Sequence, residues 1–420
     1  MNIEQACRTQ NALSRRSFMR TIGAVSAAAA SAPALAHAAL QASQGAAAAA
    51  PRSGGAREWA PLPEGTVIIS ANENPLGPAA SALAAITKYA PTGGRYDMVH
   101  ATATVKTISE QFDLKSSYVR LYPGSSGPLD LALMSNIGPD KPLVYGDPGY
   151  EQGPRAADTM KAPKFAVPLT STYAYDVKAM LKATPNAGAY YIVNPNNPTG
   201  TMTPKEDILW LIKNKPAGSV VIVDEAYHHF STHESVIDQV AADQDIIVLR
   251  TFSKIYGMAG IRAGFAFARP DLLAKFESIT PNDRQIGSIS LTSAAAAHAS
   301  LTDKDLVPLR RKINRDILDD TLAFLEKHNY KYVPGSQANM FMVDVKRPGL
   351  EVKQAMLAEH VAIGRVWPIM PTYVRVTVGT KEEMTKFQSA FVKVMNSPTT
   401  AMGASLYLPH MDVPSELYRA

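Results

Sequence analysis

Ile246-Ile247-Val248-Leu249-Arg250-Thr251-Phe252-Ser253-Lys254 is the stretch on which the fold turns. Its first four residues form an unbroken apolar run, as a strand covered on both faces requires. A polar, basic segment follows at once. The same grammar occurs twice upstream. Tyr190–Val193 runs into Asn194-Pro195-Asn196-Asn197-Pro198-Thr199-Gly200, and Val220–Val223 runs into Asp224-Glu225-Ala226-Tyr227. Parallel sheets place ligands at the carboxyl ends of their strands. Three successive strand ends here deliver an asparagine, an aspartate with a tyrosine, and a lysine.

Working outward, further strands are expected at Tyr118–Leu121, Leu143–Tyr145 and Ile261–Ala268, with helices such as Lys205–Lys213 and Asp271–Ser278 between strands. This βαβα rhythm argues for an α/β sheet domain. Past about Leu301 the rhythm changes. A long charged helix (Leu306–His328) leads to strands Met340–Val345, Val361–Val366 and Val374–Val378, then a helix over Lys381–Met395. That pattern predicts a second, smaller α+β domain. The expected partition is a large domain over residues 101–300 and a small C-terminal domain over 301–396. Residues 57–100 supply an N-terminal arm and part of the small domain, and 397–420 form a tail.

The chain has 420 residues, 46% hydrophobic and 19% charged, which suits a large folded protein and shows no run of ~20 strongly apolar residues that would span a membrane. The net charge of +5 is not a nucleic-acid signal. Arg8, Arg15, Arg16 and Arg20 against Glu4 place about +3 of it in the N-terminal segment. There Ser14-Arg15-Arg16-Ser17-Phe18-Met19-Arg20 precedes a mildly apolar run with small residues at Ala34, Ala36 and Ala38. The pattern resembles a twin-arginine export signal over residues 1–38, followed by an Ala/Gly/Ser-rich linker over 39–56. It implies engagement of the twin-arginine machinery and a periplasmic destination. The only cysteine, Cys7, lies inside that segment, so a mature chain would lack disulfides, Cys-ligated metals and a Cys nucleophile.

Several pieces of the chain together resemble the class I/II, fold-type I aminotransferases, and within them the histidinol-phosphate aminotransferase group. They are Asn72–Pro78, Gly93–Tyr96, Asp147–Tyr150, Asn194–Gly200, Asp224–Tyr227, Thr251–Phe265 and Arg375–Thr380. They stand in family order over roughly Val67 to Met395. The resemblance implies an α/β fold-type I transferase with a large mixed or parallel-sheet cofactor domain. It implies pyridoxal 5'-phosphate (PLP) as cofactor, an amino donor and a 2-oxo acid acceptor as substrates, and a homodimer. Lys254 would condense with the cofactor aldehyde as a Schiff base and then shuttle the α-proton. Asp224 would pair with the ring nitrogen, an outlet for a carboxylate ending an apolar strand; helix capping is its competing role. Asn197 and Tyr227 would bond the ring oxygen, and Tyr150 would stack on the ring unless it is an ordinary core tyrosine.

Gly124-Ser125-Ser126-Gly127 follows a strand and opens an apolar helix over Leu129–Met134, an anion site in waiting for the phosphate, although plain capping would also explain Ser125 and Ser126. Ser253 and Arg262 add a hydroxyl and a guanidinium fork. By resemblance, Tyr96 reaches the phosphate of the neighbouring subunit. Arg375 grips the substrate α-carboxylate, and Asn74 and Arg365 complete the substrate site, with a surface salt bridge as the competing role for Arg365. The chain departs from the family at Asp97, where proline usually follows Arg-Tyr. It departs again near Gly127, which lacks the usual acidic neighbour, and at His228-His229. Those two adjacent histidines lack a third ligand, so no metal site is expected. The departures leave the substrate open. Dinucleotide, P-loop, G-x-S-x-G and H-E-x-x-H motifs are absent. A PLP lyase, decarboxylase or cyclase on the same scaffold is the alternative activity, and a non-catalytic exported binding protein the alternative class.

Overall fold

The computed structural model describes residues 62–96, 98–280 and 289–397. The expected export signal, the linker over 39–56 and the tail beyond Ser397 lie outside the described residues. In chain order the strands are β1 (Val67–Ile69), β2 (Val119–Tyr122), β3 (Leu143–Asp147), β4 (Lys164–Pro168), β5 (Ala189–Val193) and β6 (Val220–Asp224). They continue with β7 (Ile246–Thr251), β8 (Gly264–Ala268), β9 (Met340–Asp344), β10 (Val361–Ile363) and β11 (Tyr373–Thr377).

Seven strands form one sheet in the order β2-β8-β7-β6-β5-β3-β4. Strands β3 to β7 pair in parallel, while β8 runs antiparallel to both β7 and β2. Every residue of β5, β6, β7 and β8 is buried, which is why their sequences are apolar without alternation. Strand β4 lies at the edge, mostly exposed and ending in Pro168. It escapes a reading based on apolar runs for that reason. Register places the site. Val193 sits opposite Asp224, and Asp224 opposite Leu249, so the segments after β5, β6 and β7 emerge side by side at one edge.

A second hydrophobic cluster gathers β1, β9, β10 and β11 with the helices Gly349–Ala358 and Lys381–Asn396. Here β1 pairs in parallel with β10, and β11 antiparallel with β9. The helix Leu306–Lys327 joins the two clusters: Leu306 packs with the large sheet, Leu318 and Leu325 with the small ones. Three expected boundaries shift for local reasons. The strand expected from Ile261 begins only at Gly264, because Arg262 adopts a left-handed conformation (φ 63°). The strand expected through Val366 stops at Ile363, where Gly364 donates to the Arg375 carbonyl and the Arg375 N–H to the Arg365 carbonyl, so that two residues face one and the regular ladder ends. The helix expected over Asp271–Ser278 becomes an α-turn, Pro270–Ala274, followed by a 3-10 turn, Lys275–Ser278. No helix among the described residues is long and apolar enough to cross a membrane.

Candidate active site

The edge where β5, β6 and β7 end opens into a cavity. Asp224 forms its floor. The carboxylate is 4% exposed; Oδ1 accepts from the Ala226 N–H at 3.0 Å, and Oδ2 lies 3.4 Å from the Tyr191 hydroxyl. Burial raises its pKa to about 6, with these two hydrogen bonds and the Lys254 charge pulling the other way. A cation placed against it would restore full ionisation. The Lys254 ammonium reaches into the same space, 3.4 Å from the Ala71 carbonyl and 5.5 Å from the centre of the Tyr227 ring.

Asn197 and Tyr227 face the cavity with their donors free, and the neighbours explain why. Arg375 Nη1 donates to Asn197 Oδ1 at 2.8 Å, which fixes the amide so that its N–H groups are left for a ligand. Asn72 Nδ2 donates to the Tyr227 hydroxyl at 3.1 Å, so that hydroxyl keeps its own proton to give. Both residues therefore present donors to one region. Tyr150 lines the cavity beside them, and loss of solvent raises its hydroxyl pKa.

Another part of the lining lies at the start of the helix Ser126–Met134. Ser125 occupies the N-cap position without a side-chain capping bond, so capping does not account for its hydroxyl. Ser253 Oγ accepts from Thr251 at 2.9 Å and from Arg262 Nη1 at 3.3 Å, leaving its proton available. Arg262 lies directly under the loop. A Cβ on Gly124 would sit 2.2 Å from Arg262 Nη2, and one on Gly264 would meet the Gly124 carbon at 2.5 Å. Glycine at both positions lets the backbone, the arginine and the start of β8 share a space that any side chain would fill. Ser125, Ser126, Ser253 and Arg262 all line the cavity.

The opposite wall comes from the second cluster. Arg375, on β11, is buried; besides Asn197 it donates to the Ser70 carbonyl, while its Nε has no partner among the described residues. Burial first, and then the charge of Arg365, lower its pKa to about 10. Arg365 lines the cavity and also contacts Glu151, N to O 2.9 Å, so an ion pair and a place in the cavity lining coexist in one side chain.

Most of the residues singled out in the sequence thus meet in one cavity, and three do not line it. Gly127 lies within the helix's first turn, and a Cβ added there would meet nothing. Tyr96 is fully exposed. Asn74 donates to the Ile255 carbonyl at 3.0 Å and borders a separate, smaller hollow with Arg310 and Asn339. Its neighbour Asn72 is the residue joined to the site, buried and at φ 55°; only the left-handed preference of asparagine could have hinted at it. Gln152 and Trp367 also escaped the sequence reading. Gln152 lines the cavity, its Nε2 holding the Ser126 carbonyl at 2.6 Å. Trp367 stacks against Arg365 and Arg375, its ring centre 5.1 and 5.5 Å from their guanidinium carbons.

A buried acid, an amine, arginines and a glycine-floored set of hydroxyls thus converge at the carboxyl ends of three parallel strands. The sequence pattern of the family "Aminotransferase class I and II" matches residues 64–391. Histidinol-phosphate aminotransferase 1 of Nitrosococcus oceani is 32% identical over 77% of this chain and 87% of its own. The aromatic amino acid aminotransferase of Cutibacterium acnes is 30% identical over 72% and 86%. Among solved structures, histidinol-phosphate aminotransferase from Sinorhizobium meliloti in complex with pyridoxal-5'-phosphate superposes with a TM-score of 0.71 at 22% identity, covering 79% of this chain and 90% of that one. The chain belongs to the class I and II aminotransferases, and it is a PLP-dependent enzyme. The cavity fits that cofactor. It offers a buried acid for a ring nitrogen, an amine for an aldehyde, two donors for a ring oxygen, and a glycine-floored cradle of hydroxyls and a guanidinium for a phosphate.

Proposed function

We propose that the enzyme moves an amino group from an amino acid, or from an amino-alcohol phosphate of the kind some relatives are named for, to a 2-oxo acid, with Lys254 as its proton carrier. The observation that carries this reading is the convergence of Asp224, Lys254 and Arg375 on one cavity. A bound PLP supplies an aldehyde to take up the amino group and a ring that draws electrons from the α-carbon. Asp224 would hold the ring nitrogen, Asn197 and Tyr227 the ring oxygen, and Tyr150 the ring face. Ser125, Ser126, Ser253 and Arg262 would hold the phosphate. Arg375 would orient the substrate through its α-carboxylate, a bidentate task for which the guanidinium geometry is suited. Lys254, released from the cofactor, would then take the α-proton and return it on the far side of the transfer.

Three further readings belong with this one. Residues 101–300 would form the cofactor domain, with 57–100 and 301–396 forming the arm and small domain; the two separate hydrophobic clusters support it. Tyr96 would serve the cavity of a second copy in a homodimer, supported by its full exposure and by the exposure of Leu76, Leu83, Met98 and Val99 in the same stretch of chain. Residues 1–38 would direct export by the twin-arginine route; fusing them to a reporter, with and without Arg15→Lys/Arg16→Lys, tests that.

The visible spectrum of purified protein tests the activity itself. A cofactor band should be present, one amine of an aromatic, basic, acidic and phosphorylated panel should shift it, and a 2-oxo acid should reverse the shift. A band that no amine shifts reversibly would remove transamination, and carbon dioxide or ammonia release would then point to a lyase.

A further inference from the structure

Of the two arginines on the cavity wall, only one is matched by an acid. Arg375 gives its hydrogen bonds to neutral acceptors, Asn197 and the Ser70 carbonyl, and keeps its charge for a ligand. Arg365 Nη2 instead lies 2.9 Å from Glu151 Oε2. Glu151 occupies the N-cap position of the helix Gln152–Thr159, where a carboxylate would ordinarily turn to the free N–H groups. It makes no capping bond there and reaches Arg365. Trp367 makes the arrangement one unit. Its ring stacks on both guanidinium groups, and its Nε1 donates at 3.0 Å to the carbonyl of Gly149, two residues before Glu151.

We propose that Glu151 is a specificity-determining residue: by neutralising Arg365 it tunes the distal half of the substrate site to uncharged, apolar side chains and against phosphate or carboxylate groups. The proposal rests on the reading of the cavity given above and names the substrate class within it. The α-carboxylate of a substrate meets the charge of Arg375. Arg365 lines the same cavity, and its pairing with Glu151 sums to zero, so an uncharged side chain leaves the pair undisturbed. A distal anion must either displace Glu151 from Arg365 or lie against its negative charge, and in a partly desolvated site like charges in contact are strongly unfavourable. The pair is built to be a filter rather than a lock. It is a single nitrogen–oxygen approach, Oε2 accepts no hydrogen bond of good geometry, and the Glu151 side chain is 33% exposed.

Calorimetry on PLP-loaded protein tests this without turnover. The probes are 3-phenylpropanoate, with one carboxylate and an apolar tail, and glutarate, which carries a second carboxylate. Wild-type protein should bind 3-phenylpropanoate more tightly. Glu151→Gln, nearly isosteric and neutral, should tighten glutarate by ~10-fold while moving 3-phenylpropanoate by less than about twofold. Glu151→Ala should act in the same direction, which separates charge from shape. Wild-type preference for glutarate, or a ratio of the two affinities unmoved in both variants, would overturn the proposal. Because neither ligand can be transaminated, that result stands apart from the spectral test of the activity.

Discussion

The floor and the wall of the cavity are built from the chain in opposite ways. Asp224 ends the middle one of three neighbouring strands and Asn197 and Lys254 follow the other two, and the register of two strand pairs is enough to bring them together. The wall reaches the floor only through contacts distant in sequence: Arg375 with Asn197 and Ser70, and Asn72 with both Tyr227 and Thr377. The floor is thus set by pairing among fully buried central strands, whereas the wall depends on how a second hydrophobic cluster docks. In the roles proposed above, the proton carrier and the partner of the ring nitrogen sit on the floor, and the arginines that would meet the substrate sit on the wall. Substitutions on the floor should abolish reaction with every substrate, and substitutions on the wall should change which substrate is preferred.

Lys254→Ala is the hardest test of that division. It removes the amine that both anchors the cofactor and carries the proton, so transamination of all donors should fall by about 10³-fold or more. Its absorption band should lose the component that depends on a lysine linkage. Turnover at the wild-type rate would refute the assignment of Lys254, and a loss confined to some donors would refute the division between floor and wall.

The same contrast governs what could be read from the sequence. Strands β5, β6 and β7 announce themselves because burial on both faces forces continuous apolar runs, and the polar residues that break those runs are the site. Arg375 was legible as a charge within an apolar strand, whereas Trp367 looks like any core aromatic until its two arginine neighbours are seen. Asn72 could not be chosen over Asn74, since both precede the same Pro75-Leu76-Gly77 turn and only long-range contacts separate them. The antiparallel course of β8 was equally hidden. It follows from the non-helical segment between β7 and β8, and from the close approach of Gly264 to Gly124.

Asp224→Asn sharpens the account of the floor, because activity and stability should move in opposite directions. Without a cationic ring nitrogen to hold, the amide should lower turnover by ~10²-fold. In cofactor-free protein the folded-state pKa of Asp224, about 6, lies above its ordinary value of 3.8. The folded state therefore binds the proton more tightly than the unfolded chain. That contribution is fully present below pH 3.8 and is lost as pH rises through about 6. Near neutrality the cofactor-free variant should be more stable than wild type by up to about 3 kcal/mol, an order-of-magnitude figure, and the gap should close toward pH 4. Urea unfolding of both proteins across that range measures it. A cofactor-free wild type that is the more stable of the two at pH 7 would contradict the uncompensated burial of Asp224.

Asn72 is where floor and wall are tied, and its removal should have the smallest effect on activity of the three. Its side chain donates to the Tyr227 hydroxyl and accepts from Thr377 Oγ1 at 3.0 Å, while its own N–H donates to that same oxygen at 2.9 Å. Its carbonyl is held by Asn339 Nδ2 at 3.1 Å. Because the backbone is left-handed, alanine would add strain, so Asn72→Gly is the cleaner substitution: it keeps the conformation and deletes only the side chain. Three buried side-chain hydrogen bonds are lost, to Tyr227, Thr377 and the Met340 sulfur, at a cost of roughly 1–3 kcal/mol in stability. The floor keeps Lys254 and Asp224, so the chemical step should survive. Tyr227 and β11, which carries Arg375, lose their shared anchor, so KM for donors should rise more than kcat falls, with kcat/KM down by ~10-fold. If kcat carries the whole loss instead, Asn72 acts through Tyr227 alone and the wall is positioned without it. If kcat/KM stays within about twofold of wild type, the docking of the two clusters holds the wall and this side chain is dispensable to it.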